Sequence, residues 1–98
     1  MYVHDFVRLD SQGRVILTGF VEKGAKVRFQ VNYREFGTIR LKVLRDGDKE
    51  FGRMGVVDDK FRVTIPASFR NYFDFGPSTF FRVSYDEKKD EVVLRVSI

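Results

Sequence analysis

Hydrophobic and polar residues alternate along two neighbouring stretches in the first half of the chain, 26–33 and 38–44. Alternation with a period of two is typical of a strand that buries one face. Because only residues 34–37 separate the two stretches, the pattern predicts a β-hairpin. The side chains predicted to face inward are Val27, Phe29, Val31, Tyr33, Ile39, Leu41 and Val43.

The same pattern returns in the second half, in 79–85 and 91–98. The intervening residues 86–90 are polar and charged, so they predict the turn of a second hairpin. The inward positions predicted here are Phe81, Val83, Tyr85, Val92, Leu94, Val96 and Ile98.

The segments that precede the hairpins also match each other. The stretch 10-DSQGRVIL-17 aligns with 58-DDKFRVTI-65 at an offset of 48, and residues 29–33 align with 81–85 at an offset of 52. These matches predict an internal repeat of residues 1–44 and 54–98. The glycine-rich and charged linker 45–53 would join the repeats.

The two halves differ in the connection that leads into each hairpin. The first half has the short 18–25, whereas the second has the longer 66–78. Pro66 suits a first helical turn, and Phe69 and Phe73 are four residues apart, which places them on one helix face. A short helix at about 66–74 is therefore predicted.

These elements predict a mainly β protein that forms one domain over residues 1–98. Each half offers a few strands with one apolar face, and closing the halves together would bury both faces. The predicted architecture is a six- to eight-stranded pseudo-twofold barrel built from two ββ(α)ββ repeats.

Composition limits the possible functions. The 98 residues contain no cysteine and one histidine, His4, and carry a net charge of +4. No nucleophile–histidine set and no phosphate-binding glycine motif is evident, so an enzyme is not expected. No cofactor or metal site is expected either, because Asp58 and Asp59 are explained as turn carboxylates. The absence of a long apolar run predicts no membrane span, and we expect a cytoplasmic protein.

The stretch 58-DDKFRVTIPASFR-70 resembles the core motif of the AbrB, SpoVT, MazE and MraZ group of transcription regulators and antitoxins. In that group a polar turn leads to an arginine, a β run, Ile-Pro, a short helix and a hairpin. Residues 54–98 carry the whole pattern, and residues 5–44 carry a degenerate copy without the Ile-Pro and the helix. The resemblance implies a cradle-loop barrel, of the swapped-hairpin or the unswapped RIFT type.

The resemblance also implies duplex DNA as the partner and assigns candidate contacts. By position these are Arg62 and Arg70, with Arg14 in the first copy, and the neighbouring Lys60 and Arg8 could add phosphate contacts. Arginine suits this role because its planar fork forms two hydrogen bonds to phosphate or guanine. With both copies in one chain, the protein is expected to be a monomeric pseudo-dimer, and a homodimer is the alternative.

Two departures from the family pattern count against this assignment. Phe61 replaces the glycine that precedes the arginine, so the turn is expected to differ, and Asn71 replaces a second basic residue. Asp10 and Asp58 lie four residues before Arg14 and Arg62, so the arginines could instead close turns. The alternative function is therefore a non-enzymatic barrel that binds a protein or a small ligand and keeps the motif for folding.

A second set of basic residues falls on the outward faces of the predicted hairpins. A row of cations on a sheet is more often a solvated face than a binding site, although it can also follow a nucleic-acid backbone. The set comprises Arg28, Arg40, Lys42, Arg82 and Arg95.

Overall fold

The computed structural model describes residues 5–32 and 34–97, so the single histidine, His4, and the inward positions predicted for Tyr33 and Ile98 lie outside the described residues. Within these ranges the chain is mainly β, with one short helix, as predicted. The elements are β1 (Asp5–Arg8), β2 (Arg14–Ile16), β3 (Lys26–Gln30), β4 (Thr38–Val43), β5 (Arg53–Val56), β6 (Arg62–Thr64), α1 (Ala67–Phe73), β7 (Phe80–Asp86) and β8 (Glu91–Ser97).

Six strands form an antiparallel sheet in the order β1-β7-β8-β4-β3-β5, and β2 pairs with β6 in a separate two-stranded ribbon. Both predicted hairpins are present as β3–β4 and β7–β8, and they join through β4 and β8. The first strand of each half pairs with the hairpin of the other half, β1 with β7 and β5 with β3. The two halves are therefore interlocked.

The strand register relates the halves differently from the sequence alignment. The N–H of Leu9 donates to the carbonyl of Thr79 (2.8 Å), as that of Val57 donates to Ala25 (2.9 Å). Ala25 is thus equivalent to Thr79, and Phe29 is equivalent to Val83 rather than to Phe81. The predicted offset of 52 was two residues too short. Because a shift of two keeps every side chain on its face, the hydrophobic pattern could not reveal the error.

The core lies between the sheet and the ribbon. Val15 and Val63 of the ribbon are buried in the same cluster as inward residues of the sheet, such as Leu41 and Val83. Most of the predicted inward positions are buried. Tyr85 and Val96 are partly buried, and Val31 is exposed because β3 ends at Gln30.

Helix α1 packs one aromatic face on this core, as its spacing predicted. Phe73 is buried, and Phe69 meets the ring of Phe29 edge-on at 6.3 Å. The helix begins after Pro66 and ends where Asp74 adopts a left-handed conformation (φ 57°). These bounds agree with the helix predicted at about 66–74.

Candidate nucleic-acid interface

The chain enters strand β2 through a turn that is closed by one carboxylate. Asp10 Oδ1 accepts hydrogen bonds from the backbone N–H groups of Gln12 and Arg14, both at 2.8 Å. Its Oδ2 accepts a hydrogen bond from Arg14 Nε at 2.9 Å. Asp10 therefore holds both the turn and the arginine side chain.

The turn before strand β6 repeats this arrangement. Asp58 Oδ1 accepts from the N–H groups of Lys60 (2.9 Å) and Arg62 (2.8 Å), and Oδ2 accepts from Arg62 Nε at 2.8 Å. Phe61 has a φ of 60°, close to the 77° of its equivalent Gly13. The expectation that Phe61 would alter the turn was therefore wrong. The second turn keeps the left-handed conformation although a side chain there costs about 1–2 kcal/mol.

Both carboxylates are stabilised in their charged form. The backbone N–H of Arg14, followed by its side chain, lowers the pKa of Asp10, and Arg62 lowers the pKa of Asp58 in the same way. Each arginine charge is thus balanced locally. Only the Nε atoms are engaged, however, and no described residue accepts a hydrogen bond from the Nη atoms of Arg14 or Arg62.

The ribbon presents both arginines on one face. Its register pairs Val15 with Val63 at the centre, and Arg14 and Arg62 are diagonal neighbours on the opposite, outward face. Such neighbours lie about 7–8 Å apart. The exposed side chain of Ile16 shares this face. Arg14 and Arg62, at the predicted sites, are therefore brought together around the pseudo-twofold axis.

Arg70 is close to the first turn but has a structural contact. Its Nε donates to the carbonyl of Ile65 at 3.0 Å. Its guanidinium lies over Gly13, where an added Cβ would be 2.6 Å from Arg70 Cζ. Arg70 therefore fastens helix α1 to the turn of the other half.

The remaining predicted residues lie on either side of the ribbon. Arg8 is exposed on β1 and lines, with Arg14 and Asp10, an open groove of about 430 Å³ between β1 and the ribbon. Lys60 is exposed in the second turn. Sequence reasoning missed Lys23, whose ammonium lies 5.1 Å from the centre of the Phe61 ring. No motif marks Lys23, because only the fold brings it to this turn.

Among the described residues, the groove on the other side of the ribbon has one cation, Arg53, and no carboxylate, whereas Asp5 and Asp10 accompany the two arginines of the first groove. The second groove is lined by strand β5 and by Thr64 and Pro66. Val56 occupies the position equivalent to Arg8, and Thr64 the position equivalent to Ile16. The two ends of the candidate interface are thus alike in backbone and different in charge.

The outward cations of the first hairpin are engaged within the protein. Arg40 Nη2 donates to Glu35 at 2.8 Å and its Nη1 donates to Glu91 at 3.3 Å. The hydrogen bond from Arg40 lowers the pKa of Glu35. Lys42 donates to the carbonyl of Lys89. These contacts indicate a structural role for Arg40 and Lys42. Arg82 and Arg95 of the second hairpin are exposed instead.

The described residues contain no group of three or more side chains suited to hold a metal ion, and no helix among them could span a bilayer. Comparisons of this chain with protein families, with curated proteins and with solved structures each find no match.

Proposed function

We propose that this protein binds duplex DNA through the β2–β6 ribbon and acts as a transcription regulator of the AbrB-like superfamily. The fold we propose is the cradle-loop barrel, with the ribbon covering the inner face of the six-stranded sheet. One observation carries the proposal: two equivalent Asp–Arg turns present Arg14 and Arg62 side by side across a pseudo-twofold axis.

The geometry suits recognition of a phosphate backbone. Each aspartate holds Nε of its arginine while no described residue accepts a hydrogen bond from Nη, so Nη is available and less side-chain entropy is lost on binding. Duplex DNA has local twofold symmetry, which a pseudo-twofold pair of arginines can match. The left-handed Phe61 supports this interpretation, because strained backbone is retained most often at functional sites.

The balanced charge of the turns predicts weak binding that depends strongly on salt. Asp10 and Asp58 cancel much of the field of their arginines, so Arg8, Lys23 and Lys60 supply the excess positive charge. Three phosphate contacts would weaken binding about forty-fold between 50 and 200 mM salt.

A gel shift with mixed-sequence duplexes at those two salt concentrations tests the proposal. Arg14→Ala with Arg62→Ala should weaken binding about tenfold or more at low salt, whereas Arg34→Ala with Lys88→Ala, in exposed loops, removes the same charge and should have little effect. Absence of binding by the parent protein at 50 mM salt would refute the proposal.

The contacts of Arg70 favour the second candidate function, a barrel that binds a protein or small ligand and keeps the motif for folding. Its hydrogen bond to the carbonyl of Ile65 and its position over Gly13 explain that part of the motif without DNA. If the Arg14 and Arg62 variants lose stability but duplex affinity is unchanged, this second function is supported.

A further inference from the structure

The outer surface of β1, β7 and β8 carries a pattern of rings and cations that extends away from the groove beside the ribbon, which Phe6 and Arg8 also line. Phe6 lies opposite Arg82 and Arg8 lies opposite Phe80, while Arg82 also lies opposite Arg95. The phenylalanines are 55% and 49% exposed. We propose that this aromatic–arginine face binds single-stranded nucleic acid, a function beyond the duplex binding proposed above.

The arginines of this face are available to an anion. None of Arg8, Arg82 and Arg95 forms an ion pair with any residue of 5–32 or 34–97. Arg82 instead lies over the Phe6 ring, with its Cζ 5.6 Å from the ring centre. Four carboxylates border the face: Asp5 beside Phe6, Glu35 on the side of Arg95, and Asp86 and Glu91 at the far ends of β7 and β8, where Glu91 is paired with Arg40. The centre of the face is therefore cationic.

On the pseudo-symmetric face of β5, β3 and β4, a segment of the chain itself contacts the equivalent cations. Lys26, Arg28 and Lys42 are equivalent there to Phe80, Arg82 and Arg95. The segment 45–52 supplies partners: Lys26 bonds Glu50 at 3.1 Å, and Arg28 lies 4.2 Å from the centre of the Phe51 ring. Since the chain covers one face in this way, the equivalent face is suited to an external ligand of similar chemistry, with anionic groups and flat rings.

Single-stranded nucleic acid combines those two groups. Its phosphates complement the arginines, and its unpaired bases can stack on exposed phenylalanine rings, as bases do on aromatic platforms of other sheets. The bases of a duplex are stacked on one another, so a duplex would use only the charges. Preference for single strands is therefore the distinguishing property of this site.

Tryptophan fluorescence gives a direct readout of stacking, because the chain contains no tryptophan. We suggest Phe6→Trp and Phe80→Trp as separate single reporters, and Phe51→Trp on the pseudo-symmetric face as the matched control. Twelve-nucleotide dT and rU strands and a 12-bp duplex serve as probes at 50 mM salt. Quenching of the first two reporters by either single strand, with little change in the third, is the expected result; the dT and rU arms show whether DNA or RNA is preferred.

Affinity measurements on fluorescein-labelled strands separate stacking from charge. Phe6→Ala with Phe80→Ala should weaken single-strand binding about tenfold or more. Arg82→Ala with Arg95→Ala should weaken it and reduce its salt dependence, whereas Lys26→Ala with Arg28→Ala is the control of equal charge. A circular-dichroism melt confirms that each variant is folded, and a double variant that does not fold is replaced by its single substitutions.

Three results would overturn this assignment: no binding of single strands, a duplex bound as tightly as a single strand, or full affinity after loss of both phenylalanines. The outcome is independent of the ribbon proposal, because Arg14→Ala with Arg62→Ala should weaken duplex binding and leave single-strand quenching of the Phe80→Trp reporter unchanged.

Discussion

Gly13 is constrained both by its backbone conformation and by its close contact with Arg70, and substitutions can measure the two effects separately. Its φ of 77° disfavours any side chain, and an added Cβ would meet the guanidinium of Arg70 at 2.6 Å. We therefore predict that Gly13→Ala destabilises the protein through both effects. Gly24 has nearly the same φ, 78°, with nothing within 4 Å of an added Cβ. Gly24→Ala consequently measures the backbone effect alone.

The magnitudes follow from the two contacts. A left-handed alanine costs about 1–2 kcal/mol. Displacing Arg70 also removes its hydrogen bond to Ile65, and hydrogen bonds to charged groups contribute about 1.5–3 kcal/mol when well formed. Gly13→Ala should thus cost about 2.5–5 kcal/mol, and Gly24→Ala about 1–2 kcal/mol. In an Arg70→Ala background the clash is gone, so Gly13→Ala should cost only the backbone contribution.

Urea unfolding followed by far-ultraviolet circular dichroism gives these free energies for the four proteins of a double-mutant cycle. A coupling energy of about 1.5–3 kcal/mol between positions 13 and 70 is expected. If Gly13→Ala costs the same with and without Arg70, the close approach of helix α1 to the first turn does not contribute to stability, and our explanation of Arg70 fails.

Three further predictions concern charge and packing. Folding lowers the pKa values of Asp10 and Asp58, so the stability they contribute is present above the unfolded pKa near 3.8 and is lost as pH falls through the folded pKa. In acid titrations, Asp10→Asn with Asp58→Asn should therefore make the free energy of unfolding depend less on pH below about pH 4. Arg40→Ala leaves the carboxylate of Glu91 nearly buried without its cation and should cost about 2–4 kcal/mol in urea unfolding. Phe73→Ala removes a buried ring that packs on three others and should cost about 3–5 kcal/mol, and an unchanged melting temperature would contradict its place in the core.

Periodicity was sufficient to predict the two hairpins and the helix. Val27 and Leu41 in the first hairpin, and Val83 in the second, alternate with polar residues because one face of each strand is buried. The equivalence of the two halves was harder to predict. Phe29 and Phe81 looked equivalent, yet the backbone pairing of Leu9 and Val57 shows a shift of two residues, which changes no face and so leaves no trace in the hydrophobic pattern.

The predicted site residues show the same limit of local reasoning. Spacing of four residues indicated that Asp10 and Asp58 could pair with Arg14 and Arg62, and both pairs are present. The contact between Arg70 and Gly13 joins positions far apart in the chain, so no local sequence pattern predicts it.

The cations of this chain differ in whether they have a partner within the fold. Arg40 and Arg70 are held by internal partners, and their loss should be felt in stability. Arg14 and Arg62 bond through Nε only, so they can serve both the turn and a ligand. Arg82 has an aromatic neighbour and no described carboxylate, so its charge contributes least to the fold. Arg82→Ala should therefore leave the melting temperature nearly unchanged and weaken the binding of single strands. A general effect of net charge would not be specific to this residue.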